Sequence, residues 1–216
     1  MIPEEHKERI KAELNEKLTN KVKVIAFTQE NECAMCKETR ELVEEVGRLS
    51  DKIDVEIYDF EKDKERSTLY KVDKVPAIVF LGEKDYGIRY YGLPFGYEFQ
   101  TFLDTLLNVS SQNSGLLEET KAKLRAIDKP VHIQVFVTLT CPYCPIIASL
   151  ANRFAMENDL ITSEVVDINE FVQIGIKYDV LGVPKTVINE SVDFVGVISE
   201  NVLFDRIFEA LKTQSQ

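Results

Sequence analysis

The chain repeats itself, and the repeat limits what it can fold into. Displaced by 108 positions, the 216-residue sequence lays Cys33 on Cys141 and Cys36 on Cys144. The same displacement matches Leu42 with Leu150, Asp59 with Asp167, Tyr70 and Val72 with Tyr178 and Val180, Val75-Pro76 with Val183-Pro184, and Val79 with Val187, with no gap. Beyond that stretch the second copy runs shorter, and Gly92 meets Gly196 at a displacement of 104. Two copies of about 100 residues each have the size of compact domains, whereas a solenoid needs at least three repeats. The sequence therefore reads as two tandem globular units, 1–112 and 113–216. They meet at the polar stretch 110–115, too short to serve as a flexible tether.

Each copy carries the same succession of patterns. An amphipathic helix comes first, over 3–18 and 116–127, followed by a β-rich run at 22–28 and 131–138. The cysteine pair then opens a helical stretch, 33–49 and 141–156. A second strand follows at 53–59 and 161–167, then a helix ending near Tyr70 and Tyr178. Two further strands, the first at 77–81 and 185–188, lead to closing helices at 96–107 and 201–211. Strand, helix, strand, then helix and hairpin predict an α/β fold in which each unit is a mixed sheet flanked by helices.

Composition removes several function classes. The formal charge is −11, shared as −6 up to Gly115 and −5 beyond it, so neither unit offers a counter-charge to nucleic acid or to an anionic membrane. No apolar run approaches the roughly 20 residues of a membrane helix. The charged start does not read as a secretory signal. With 44% apolar residues the chain can build a core, and its four cysteines are too few for a disulfide scaffold. Those readings predict a cytoplasmic, reducing setting.

The cysteines are where the chemistry lies. A Cys-x-x-Cys at the turn from strand to helix sets the first sulfur at the helix N-terminus, where free N–H groups and the macrodipole favour a thiolate. The second cysteine is one turn on, close enough to close a disulfide and release whatever the first has captured. Pro142 suits a first helical position, and Pro145 is early enough in the helix to be tolerated. Zinc is the weaker reading, because 104 residues separate Cys36 from Cys141, far beyond the spacing of a zinc ribbon. Structural staples rarely recur at a strand–helix junction, so that reading too gives way to chemistry. His6 and His132 lie apart from both pairs, so a cysteine hydrolase lacks its base. Val75-Pro76 and Val183-Pro184 each stand forty residues past the second cysteine and before a β-rich run. A proline there is usually trans, but the identical spacing in both copies favours cis.

On these residues each unit resembles a thioredoxin fold, and Cys141-Pro142-Tyr143-Cys144 is the motif of glutaredoxins. Two such units in one chain, with the segment 84–94, resemble the protein disulfide oxidoreductases of thermophilic archaea and bacteria. The resemblance implies dithiol–disulfide exchange with protein substrates at Cys33, Cys36, Cys141 and Cys144. It implies cis bonds at Pro76 and Pro184, with the backbone of Val75 and Val183 pairing with a substrate strand. It implies no cofactor beyond the cysteine pairs, and an outside electron donor such as a thioredoxin-reductase-like flavoprotein.

The chain departs from the pattern in places. Phe27 and Val135 stand where thioredoxins carry a buried Asp, so the sequence names no proton acceptor for the resolving cysteines. Lys74 and Gly182 replace the Thr of the glutathione-binding motif, and Gly-Gly is missing. Glu30 and Glu32 flank the first pair, whereas 138–145 carry no charge, which predicts that Cys141 is the more reactive thiolate.

The leading expectation is thus a thiol–disulfide oxidoreductase that reduces, forms or isomerises protein disulfides. The alternative is an electron relay from a flavoprotein reductase to a peroxiredoxin, since the tandem module of alkyl hydroperoxide reductase flavoproteins looks similar, though it keeps one Cys-x-x-Cys. A binding or chaperone module without turnover would require neither pair.

Overall fold

The computed structural model describes residues 1–213. In the first half α1 (Glu4–Lys17), β1 (Val22–Thr28), α2 (Cys36–Gly47), β2 (Ile53–Asp59), α3 (Lys64–Leu69), β3 (Ala77–Leu81), β4 (Asp85–Tyr91) and α4 (Glu98–Ser111) follow in order. The second half repeats them as α5 (Glu118–Arg125), β5 (Val131–Val137), α6 (Cys144–Ala155), β6 (Ile161–Asp167), α7 (Val172–Lys177), β7 (Lys185–Ile188), β8 (Val192–Val195) and α8 (Glu200–Thr213). The last three residues of the expected second unit, 214–216, lie outside the described residues.

Within each half the first two strands run parallel, the third pairs antiparallel with the first, and the fourth pairs antiparallel with the third. β1 and β5 are buried almost end to end, as expected of central strands covered on both faces. Their apolar runs are therefore continuous instead of alternating. The two sheets are one: the order is β2-β1-β3-β4-β6-β5-β7-β8, and the halves join by parallel pairing of β4 with β6. Sequence periodicity does not show this junction, because a strand edge that meets another unit carries the same pattern as one that meets solvent.

Helix packing reinforces the seam. Asn152 of α6 donates to Thr105 of α4 (3.0 Å) and accepts from the Ser163 hydroxyl (2.7 Å), while the Thr105 hydroxyl donates to the Thr101 carbonyl (2.7 Å). All three side chains of this chain are buried, and a fully paired polar chain in a core fixes the register of the elements that carry it. Around it one apolar cluster runs through both halves, from Leu14 and Phe102 to Phe154 and Ile207.

Two details differ from the sequence reading. α4 runs into the polar boundary stretch because Ser110 is buried there. Its hydroxyl accepts the N–H groups of Thr19 and Asn20 (both 3.1 Å) and donates to the Asn20 carbonyl (2.6 Å). In the sheet, Val22 and Val131 hold equivalent places opposite Ile53 and Ile161, a displacement of 109 against 108. The loop before Cys33 is therefore one residue longer than the loop before Cys141.

Candidate active site at two strand–helix junctions

Both cysteine pairs are closed disulfides, each with its Cα atoms 5.5 Å apart. Each lies just past the C-terminal end of the central strand of its half. The helices start at the second cysteine of each pair, Cys36 and Cys144, with Met35 and Tyr143 as N-caps. The first sulfur thus sits a turn ahead of the helix and not within it, and Pro145, not Pro142, occupies the first helical turn. The electrostatic argument survives this shift. The N–H of Cys144 points at Cys141 Sγ (3.1 Å), the contact that would stabilise a thiolate there. At the first pair the N–H of Gln29 points at Cys36 Sγ (3.3 Å).

Burial orders each pair. Cys36 and Cys144 are buried, as suits a resolving thiol, while Cys33 is half-exposed and Cys141 keeps a small open area. The peptide bonds Val75–Pro76 and Val183–Pro184 are both cis. β1 pairs with β3 so that Phe27 faces Ala77, and Phe136 of β5 faces Lys185. Each cis proline is therefore brought to the strand end from which its cysteine loop leaves, and both prolines are buried beside half-buried valines.

The surfaces around the two pairs differ. Beside the second pair stand Tyr143 (64% exposed), Ile146, Leu181 (91% exposed) and Val195, an apolar collar free of charge. Their counterparts in the first half are Met35, Glu38, Asp73 and Tyr91. Tyr91 is buried, with Lys74 Nζ 3.6 Å from its ring centre.

The structure adds residues that sequence reasoning did not single out. Glu98 opens α4 fully buried, and neither carboxylate oxygen has a partner among the described residues. Burial pushes its carboxyl up to about 8. The preceding residue, Tyr97, donates its N–H to the Leu139 carbonyl (3.1 Å), two residues before Cys141. The start of α4, which carries Glu98, is thereby tied to the loop of the second site.

The reverse crossing also occurs. Glu170 accepts the Leu93 N–H (2.6 Å), and burial, helped by the charges of Asp167 and Glu38, pushes its carboxyl up to about 7. The neighbour of Leu93, Gly92, donates to the Pro76 carbonyl (3.0 Å), so this acid of the second half lies near the cis proline of the first. Gly92 has φ +120°, and a Cβ there would come 2.9 Å from Asp167 Cβ, so glycine is required on both counts. Tyr90, whose buried hydroxyl has no partner among the described residues, shares the cluster with Glu98, Asp167 and Glu170. The available signal was the repeated Asp59/Asp167, but the burial of Asp167 comes from the seam.

Among the described residues no group of three or more His, Cys, Asp or Glu is placed to hold a metal ion, and no helix is long and apolar enough to cross a membrane. His6 is on the exposed face of α1, and His132 Nε2 lies 3.4 Å from Glu164.

Comparison with known proteins agrees with the geometry. A thioredoxin-domain family model matches residues 131–208. A protein disulfide oxidoreductase from Aeropyrum pernix superposes with a TM-score of 0.90 and 31% identity over 95% of this chain and 91% of that one. The NTD_N/C domain of the alkylhydroperoxide reductase AhpF of Enterococcus faecalis superposes with a TM-score of 0.87 and 25% identity, covering 96% of this chain and all of that one. Among curated proteins, the AhpF protein of the Escherichia coli alkyl hydroperoxide reductase is 28% identical over 88% of this chain. The chain spans 34% of that relative, about a third of its length. Two thioredoxin-like units in one sheet, each closing a Cys-x-x-Cys disulfide beside a cis proline, place the chain in the protein disulfide oxidoreductase family.

Proposed function

We propose that the chain, with units at 1–112 and 113–216, exchanges electrons with the disulfides of other proteins, using the second pair as its main reductase site. The observation that carries this reading is a closed disulfide whose outer sulfur receives a helix N–H and whose surroundings are exposed and apolar. In the reduced protein the Cys141 thiolate attacks a sulfur of the substrate disulfide. A mixed disulfide forms, and the departing substrate sulfur leaves as a thiolate that takes up a proton. Cys144 then loses its proton, attacks Cys141 Sγ and closes the intramolecular disulfide, and the substrate leaves with both sulfurs reduced. Glu98, carried to this site by the first half, is the group we assign to accept the Cys144 proton; a carboxyl near 8 is matched to a thiol. Val183 offers its backbone to the substrate strand, as Val75 does at the first site.

The first pair, Cys33 and Cys36, serves as relay or second site, and a thioredoxin-reductase-like flavoprotein in the cytoplasm restores the dithiols. A second reading, relay to a peroxiredoxin, is favoured by the match to the alkyl hydroperoxide reductase protein AhpF over most of the chain. Trapping separates them. A Cys144→Ser variant should hold its substrate on Cys141, where mass spectrometry identifies it. A range of disulfide proteins supports the broader reading, and a peroxiredoxin as the sole captive supports the relay. An absence of mixed disulfides on Cys141 contradicts both.

A further inference from the structure

The seam is built from two complementary surfaces, and each has a vacant copy at the far end of the sheet. β4 offers its edge to β6. In the repeat β8 stands in the place of β4, since Val195 faces Lys185 as Tyr91 faces Ala77. β2 stands in the place of β6 at the 108-residue displacement. β8 and β2 are the two outer strands of the sheet. A second copy of the chain that laid its β2 against β8 would repeat the seam strand for strand. The register of β4 on β6 then sets Val192 opposite Val55, Asp193 opposite Glu56, Phe194 opposite Ile57 and Val195 opposite Tyr58.

Three of these four pairs are apolar or aromatic and suited to cross-strand packing. The fourth sets acid against acid where the seam has Arg89 opposite Glu164. The seam also brings Lys74 to 3.8 Å from Glu164, and the counterpart of Lys74 is Gly182, which brings nothing to Glu56. In the helix layer Ser149 and Asn152 bond across the seam to Asp104 and Thr105. Their counterparts on α2 are Glu41 and Glu44. Asp193, Glu41 and Glu44 of the outer edges are thus acids where the seam has Arg89, Ser149 and Asn152.

We infer that the two outer edges, β8 on one side and β2 with α2 on the other, are the halves of a second seam, matched in shape to a second copy of this chain and held from it by like charge. Unpaired strand edges template association, and charge is a common way to blunt them. Joined head to tail, the same contact would repeat without closing and give open chains of molecules. It would also cover Val195, as Tyr91 is covered at the seam, and with it the apolar collar beside Cys141. The acidic edges thus keep that collar open.

Oligomeric state tests this on the full chain, independently of any substrate. Asp193→Arg and Glu56→Arg each place opposite charges across the edges. Each should raise self-association about tenfold or more in sedimentation velocity, with species growing as concentration rises. Combining the two substitutions sets Arg against Arg and should return the chain to the monomer. Asp128→Arg, the same charge change on an exposed turn away from both edges, should stay monomeric. Asp193 also bonds Lys185 and Glu56 bonds Lys23, so a variant that loses its circular dichroism is replaced by Glu56→Gln with Asp193→Asn, which removes the repulsion and leaves each lysine an amide oxygen to bond. Folded single variants that stay monomeric would overturn the inference, as would association in Asp128→Arg or in the double reversal, or a wild-type chain already assembled in open chains.

Discussion

Asp59 and Asp167 occupy the same place in the two units and meet opposite surroundings. Asp59 ends the outer strand β2, where Glu61 and Lys62 give it their N–H groups (3.1 and 3.0 Å) and the Lys62 ammonium lies 3.0 Å away. Chiefly through that ammonium, its carboxyl is held below the ordinary value. Asp167 ends β6 inside the seam, and burial raises its carboxyl against the single pull of the Asn169 N–H (2.9 Å). The residue and its strand are the same in both. What differs is β4, which covers one copy and has no equivalent over the other. The same contrast runs through the sites: joining two copies edge to edge buries one loop beside a cis proline and leaves its counterpart open. A duplicated unit thereby becomes two different sites without a change in the cysteines.

Substitutions at paired positions sharpen or break this comparison. The largest effect belongs to the cysteines. Cys141→Ser should reduce insulin-reducing turnover by about 100-fold or more, and Cys33→Ser by about tenfold or less. Equal losses would make the sites equivalent.

Next is Glu98. Glu98→Gln should slow single-turnover reduction about 100-fold, the lower end of the range for a lost general base. It should also change the pH dependence of stability. With the folded carboxyl near 8 and the unfolded one near 4.5, the folded state holds the extra proton between those values. The contribution is fully present below about pH 4.5 and is lost as pH rises through 8. The wild type should therefore weaken across that window. The Gln variant should weaken less and be more stable at pH 8 by about 2 kcal/mol in urea titrations.

The glycines come third. Gly92→Ala combines positive φ with a clash at Asp167 and should cost about 2–3 kcal/mol. Gly196→Ala has positive φ but nothing within 4 Å and should cost about 1 kcal/mol. Smallest is the aspartate pair itself: Asp167→Asn should leave the melting temperature at neutral pH unchanged or raised, and Asp59→Asn should lower it slightly.

Much of this molecule was legible in the chain. The 108-residue repeat gave both units, and the strands at 22–28, 53–59, 77–81, 161–167 and 185–188 form as expected. The disulfides and cis prolines follow from spacing and resemblance. The seam was not legible, because Arg89 and Glu164 become neighbours only through pairing between strands 75 residues apart. Glu98 was hidden for the same reason. An acid at the start of a helix ordinarily serves the dipole in water, and only the contact of Tyr97 with Leu139 reveals that this one is buried. The helix starts were misjudged by three residues because the disulfide loop takes a turn of its own before α2 and α6 begin.

The central claim is that the duplicated sites differ, with the second the more reactive. It is tested most directly by labelling the reduced protein with iodoacetamide across pH 5 to 9 and locating the label by mass spectrometry. Cys141 should label faster than Cys33 near neutral pH and stay reactive to lower pH. Faster labelling of Cys33, or equal rates at the two sites, would contradict it.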